Sequence, residues 1–218
     1  LKDKVYELLN FFEKFENEYG LLEKLESWVF VEWSRANDFV QDVNYPSNML
    51  YASTLENAGR LYNDYNLIEK ARRIKEVILE RAFNGEFFVD NEIRKDGVLV
   101  STNETSETCQ YYAFFMNMAT PDTHKELWDK LVNEMGPKRD ASKTYPNVYP
   151  SNAFIGAVLR LDLLKRYNYY DKLKEEIKDY FYYMAEKTGT LWENLTPEAS
   201  CNHGFTSYVV YLLSNSKY

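Results

Sequence analysis

Apolar residues recur at helical spacing along most of the chain, in two styles that alternate. Residues 2–18 set Val5, Leu8, Leu9, Phe12 and Phe15 on one face and Lys4, Glu7, Glu13 and Lys14 off it. That is an amphipathic helix with one wet side. The segment from Ser47 to about Leu61 places Met49, Ala52, Leu55 and Ala58 at core spacing and carries no Lys or Arg before Arg60. Residues 66–82 return to the first style, with Leu67, Ala71, Ile74, Val77 and Ile78 inward and Lys70, Arg72, Arg73 and Lys75 outward. Residues 104–119 are apolar nearly all round after their first turn, which marks a buried helix. Residues 122–135 are amphipathic, with Thr120-Pro121 as cap and first-turn proline. Residues 151–165 are mostly apolar, 169–185 amphipathic, and 204–214 apolar again.

Each wet-faced helix is followed by a long connection, then by a more apolar helix, then by a short link. The apolar helices begin near residues 48, 104, 151 and 204, a repeat of roughly fifty residues. Wet-faced helices belong to an outer layer and apolar ones to an inner layer. Stacked outer–inner hairpins form an α/α toroid, of which this chain supplies an arc of about four hairpins. The expected class is all-α, with about eight helices in a single domain over 1–218. One small hairpin is expected near 86–101, pairing Glu86–Asp90 with Val98–Ser101 around Lys95-Asp96-Gly97. The long connections all lead into inner helices, so they gather at one end of the toroid, where a rigid scaffold places its site.

The last of these connections holds the most suggestive chemistry. Thr190-Leu191-Trp192-Glu193-Asn194 is followed by Asn202-His203-Gly204-Phe205. A carboxylate to move a proton, aromatic faces to stack on a ring, and amide or imidazole groups to hold hydroxyls are what sugar chemistry requires. The same residues also describe a packed Trp, a solvated Glu and a capping Asn. The wording of the segment adds to this. Gly189 to Asn194 and Ser200 to Ser207 resemble the C-terminal active-site segment of bacterial α-L-rhamnosidases of glycoside hydrolase family 78, within the six-hairpin glycosidases. Gly20-Leu21-Leu22, Trp28 to Ser34, Glu104 to Gln110 and Asn152 to Gly156 fit the same family in order.

The resemblance implies inverting hydrolysis of terminal α-L-rhamnosyl residues, with Glu193 as general base and His203 as a sugar ligand. It places Trp33 against the sugar. The residues themselves add Trp192 and Asn202 from the fourth connection, and Glu107, which shares a helical face with Gln110 at the toroid's mouth, as further binding candidates. Glu32 and Asp38 are additional carboxylates on the first long loop, where capping or solvation also suits them; Trp28 is expected in the core. No cofactor or metal is expected. The family's general acid lies in an upstream motif, Asp-x-Pro-x-x-Glu followed by Gly-Trp-x-Gly-Asp, that this sequence lacks, and the chain begins at Leu1 rather than Met. It is therefore expected to be the C-terminal part of a longer catalytic domain, of which a complete toroid has six hairpins. The alternatives are a non-catalytic carbohydrate-binding or fragment domain, and another α/α-toroid glycosidase or lyase-like protein with a different sugar.

Composition narrows the partners. A net charge of −8 argues against nucleic acid and anionic membranes. An aromatic content of 17% suits carbohydrate contact and a dense helical core alike. Cys109 and Cys201 show no metal-ligand spacing and call for no disulfide, which points to a reducing, cytoplasmic setting without bearing on export. No apolar run reaches transmembrane length. The two open ends of a four-hairpin arc carry Phe11, Phe12, Phe181, Tyr208 and Tyr211, so association between copies is expected there.

Overall fold

The computed structural model describes residues 1–139 and 143–214. Nine α-helical segments are present among them: α1 (Lys2–Glu13), α2 (Tyr45–Tyr62), α3 (Tyr65–Ala82), α4 (Glu107–Phe115), α5 (Lys125–Glu134), α6 (Gly156–Arg166), α7 (Tyr170–Ile177), α8 (Tyr183–Thr188) and α9 (Tyr208–Ser214). A π-helical turn, Lys178–Tyr182, joins α7 to α8, so these nine segments make eight rods, as the hydrophobic pattern predicts. The inner layer runs α2, α4, α6, α9, each packed on the next. α3 pairs closely with α2, and α7 with α6. This is an arc of an α/α toroid.

Local chemistry sets the helix ends. The Asn44 side chain accepts from Ser47 N at 3.0 Å, with Pro46 in the first turn of α2. Asn63 then takes the left-handed conformation (φ 56°) that stops α2, and Asp64 caps α3 by accepting from Asn66 N at 3.0 Å. α1 is shorter than its apolar face suggests. The Asn17 side chain accepts from Tyr19 N and Leu21 N at 2.9 and 3.1 Å, and this turn folds the chain back so that Glu16 bridges to Leu22.

Strands have only connecting roles. β1 (Val43–Asn44), β2 (Asn91–Lys95) and β3 (Val98–Ser101) form an antiparallel sheet, and β4 (Thr105–Ser106) pairs in parallel with β5 (Val148–Tyr149). The expected hairpin therefore exists with a different first strand. Asp96 and Gly97 both have positive φ, 49° and 83°, as a two-residue hairpin turn demands. That turn sets Lys95 opposite Val98, so Asn91–Lys95 becomes the partner, while Phe87, Phe88 and Val89 are drawn into the core. Four helix starts lie later than expected, the last because Gly204–Ser207 forms a 3-10 turn ahead of α9. Thr105-Ser106 is strand rather than first turn, because its partner Val148-Tyr149 lies on a distant loop. Thr120 and Thr123 close a side-chain turn on each other at 3.0 and 3.2 Å, which delays α5 to Lys125. Residues 151–155 are not helical, and α6 begins at Gly156.

The core is one continuous cluster running from Leu9 to Leu212. Phe181, expected at an open end, is buried within it. A charged pair lies inside as well: Arg160 meets Glu176 through Nε at 2.6 Å and Nη2 at 2.7 Å and also donates to the Leu131 and Val132 carbonyls at the end of α5. With both oxygens of Glu176 and the guanidinium engaged, the pair is compensated rather than stranded. No described helix is long and apolar enough to cross a membrane.

Candidate active site

The four long connections meet at one end of the arc, and side chains lock them to one another. Glu32, on the first, is 0% exposed. Its Oε2 accepts from Thr108 Oγ1 at the start of α4 and from Ser34 Oγ at 2.9 Å; its Oε1 accepts from Gly156 N at the start of α6. Burial pushes its carboxyl up to about 7 against the pull of these donors. Asp90, on the second connection, is equally buried and accepts from Ser106 N at 2.6 Å and Ser106 Oγ at 2.7 Å. Burial also raises it to about 7, with a smaller push from Glu104 and Glu32. Gly156 fits where nothing larger does: a Cβ there would lie 2.3 Å from Ser151 Cβ and 2.7 Å from Glu32 Oε1.

The fourth connection is a flattened loop stitched by backbone bonds. Glu193 N donates to Ser200 O at 2.9 Å and His203 N to Leu191 O at 2.9 Å. Glu193 is half-buried, and its Oε2 accepts from Ser200 N at 3.4 Å, a long contact that leaves the carboxylate weakly held. The next residue, Asn194, reaches Asn152 of the third connection, and Asn152 in turn reaches the Trp33 carbonyl of the first.

Aromatic rings cross the same end. Trp28, Phe30 and Trp33 contact one another with centroids 4.9–5.9 Å apart. Phe154 continues the row to Phe30 at 5.8 Å, to His203 at 5.0 Å and to Phe205 at 4.6 Å. Trp33 is 42% exposed. Trp28 is 69% exposed, against the expectation of a core residue, because the irregular backbone of residues 23–34 holds it out on the loop. His203 sets its ring edge-on to Phe154 and keeps Nδ1 buried without a hydrogen-bond partner.

Thus the segments carrying Trp33, Glu193 and His203 are linked through Asn152, Asn194 and Phe154, and Asn202 is exposed on the same loop. Two other candidates are placed differently. Trp192 is 1% exposed; its ring lies edge-on to Tyr183 at 5.5 Å and its Nε1 donates to Thr188 Oγ1 at 2.8 Å. It has no face left for a sugar and serves to seat the Glu193 loop. Glu107 is buried too, with Oε1 on Arg139 Nε at 2.8 Å and Gly136 N at 3.1 Å, and Oε2 on Ser151 N at 3.0 Å. It ties the third connection to α4 instead of opening at the mouth. Asp38 turns outward to Arg35. The sequence marks Asn152, Phe154 and Phe205 only as parts of motifs; their contacts join residues more than forty positions apart, which spacing does not reveal. No cluster of three or more metal-ligating side chains occurs among the described residues.

No protein-family model matches the sequence, and no curated protein sequence does. Solved structures do match. A family 78 rhamnosidase of Bacillus sp. GL1 superposes on 99% of the chain with a TM-score of 0.80 at 16% identity. The chain has the rhamnosidase fold. A rhamnosidase from Klebsiella oxytoca, with rhamnose bound, superposes on 97% of the chain with a TM-score of 0.71 at 14% identity. The chain spans 23% of the length of the Bacillus protein and 41% of that of the Klebsiella protein. The α/α arc read from the hydrophobic repeat is therefore the architecture shared with these enzymes.

Proposed function

We propose that the chain forms the base side of a glycoside hydrolase of the α-L-rhamnosidase type, acting on terminal α-L-rhamnosyl residues with inversion. The observation that carries this reading is that the segments bearing Trp33, Glu193 and His203 are joined at the loop end of a fold shared with rhamnosidases. In this scheme Glu193 takes a proton from the water that attacks the anomeric carbon. Trp33 stacks on the sugar, and His203 and Asn202 hold its hydroxyls. Inversion further requires an acid about 6.5–9.5 Å from the base, across the sugar. Glu32 and Glu107 are buried with donors on both oxygens, so neither presents a proton to a bound glycoside. The acid motif is missing from the sequence. Efficient hydrolysis of alkyl rhamnosides, whose leaving oxygen needs protonation, is thus not expected of these 218 residues alone.

Those same features favour a second reading, a sugar-binding wall without turnover. An activated aryl α-L-rhamnoside separates the two, since its leaving group needs little protonation. Slow turnover that Glu193→Gln lowers by about 10²–10⁴-fold supports the base assignment. Binding of L-rhamnose with no turnover of the aryl substrate supports the second reading.

A further inference from the structure

We infer that Asn152 is a positioning residue, whose side-chain amide sets the distance between the Glu193 loop and Trp33. The inference rests on the sugar-site reading above and extends it to a residue with no assigned part. A carboxamide has two N–H donors and an oxygen that accepts two bonds. Asn152 uses all four. Nδ2 donates to the Trp33 carbonyl at 2.6 Å and to Asn194 Oδ1 at 3.1 Å. Oδ1 accepts from Leu195 N at 3.0 Å and from Ala153 N at 2.7 Å. One small group therefore spans the first, third and fourth connections, and it grips the fourth at the two residues that directly follow Glu193.

The grip is itself rigid. The backbone on one side of Asn152 is held where Ser151 N donates to Glu107, and on the other where Gly156 N donates to Glu32. The Asn152 carbonyl accepts from Ala157 N at 3.0 Å in α6. Both carboxylates are buried, so the anchor sits on the core while the amide reaches the surface. The Glu193 backbone is held within its own loop by Ser200 O, and Leu195 O accepts from Tyr183 Oη, but the bonds to Asn152 tie this loop to the first and third connections, and the Glu193 carboxylate itself makes one long bond. A ring stacked on Trp33 meets the Glu193 segment at the separation that Asn152 imposes, and a catalytic group displaced by an ångström loses most of its effect.

Asn152→Ala removes all four bonds. Asn152→Asp keeps the shape and the oxygen that accepts from Leu195 and Ala153, but it turns a second oxygen toward two acceptors and so reverses the contacts to Trp33 and Asn194. The test is carried out on the whole chain, with L-rhamnose titrated by NMR and amide hydrogen exchange read residue by residue, well below the unfolding midpoint. We expect exchange at Leu195 to accelerate about tenfold or more in Asn152→Ala, the scale of a lost buried hydrogen bond. We expect L-rhamnose affinity to fall at least about tenfold in both variants. Glu193→Gln leaves Leu195 exchange as in wild type. Should Asn152→Ala not fold, Asn152→Asp decides through its loss of affinity. Unchanged exchange at Leu195 in a folded Asn152→Ala overturns the inference. So does faster exchange with undiminished affinity, because a merely structural role predicts that pattern. If wild type shows no response to L-rhamnose, the rhamnoside reading falls separately. The joint is then decided by exchange at Leu195 together with the Trp33 indole resonance: a change at both in Asn152→Ala supports it, and a change at neither, or at Leu195 alone, refutes it.

Discussion

Replacing Gly156 by alanine puts a methyl group at the point where three connections are pinned together. The new Cβ would stand 2.3 Å from Ser151 Cβ, 2.8 Å from Ser151 Oγ and 2.7 Å from Glu32 Oε1. Ser151 Oγ has no partner and can turn, but Ser151 Cβ is set by a backbone whose N is bonded to Glu107, and Glu32 is bonded on both oxygens. Overpacking a filled site costs about 1–3 kcal/mol. Displacing Glu32 also breaks its bond from Gly156 N and leaves buried polar groups short of a partner, a further loss of about 1–3 kcal/mol. Alanine's better helix propensity at the start of α6 returns at most about 1 kcal/mol. The net expectation is destabilisation of about 3 kcal/mol, a large fraction of an ordinary domain's stability. Urea unfolding reads it as a lower midpoint with an unchanged slope. Gly204→Ala is the control: nothing lies within 4 Å of its added Cβ, and its midpoint should stay close to wild type. A Gly156→Ala protein as stable as wild type would refute the packing argument, and with it the view that Glu32 is a fastener.

Two further expectations concern the protein as a whole. Glu32 and Asp90 are both raised to about 7, so the folded chain binds their protons more tightly than the unfolded chain does. Their contribution is fully present only below the ordinary carboxylate range, about pH 4, and is lost progressively as pH rises from there through 7, with a slope of at most about 1.4 kcal/mol per pH unit for each group. The urea midpoint should therefore fall between pH 5.5 and 8, and Glu32→Gln should flatten that fall; a midpoint that rises over this range contradicts the burial argument. Secondly, Leu8, Phe11, Trp28 and Leu50 are exposed around an apolar groove of about 430 Å³ at the α1 end, and Tyr182 and Val210 are exposed near the other. Light scattering should show concentration-dependent association, whereas a clean monomer at high concentration would show that the arc needs no cover.

The architecture was legible because burial is periodic. The contrast between the Lys/Arg-studded face of α3 and the nearly cation-free α2 separates outer from inner layers, and four such contrasts put all long connections at one end. Boundaries were less legible where a distant partner decides them. Thr105-Ser106 follows the helical pattern, yet it pairs as strand with Val148-Tyr149, forty-odd residues away. In the site, the wording singles out Glu193, His203 and Trp33, and bonds and ring contacts of Asn152, Asn194 and Phe154 link the segments that carry them. Trp192, next to Glu193 in its segment, and Glu107, in the Glu104 to Gln110 segment, point inward, because motif spacing gives a residue's neighbourhood and not the direction of its side chain. Asn152 was hidden for a related reason. Asparagine in a loop is ordinary, and only the simultaneous use of its four bonding positions marks it out.

The most direct test of the account is the anomer released first from an activated aryl α-L-rhamnoside, followed by proton NMR before mutarotation scrambles it. Attack by water activated at Glu193, on the face opposite the leaving group, predicts the β anomer as first product. First appearance of the α anomer would contradict a base role for Glu193 and the proposed inverting site with it.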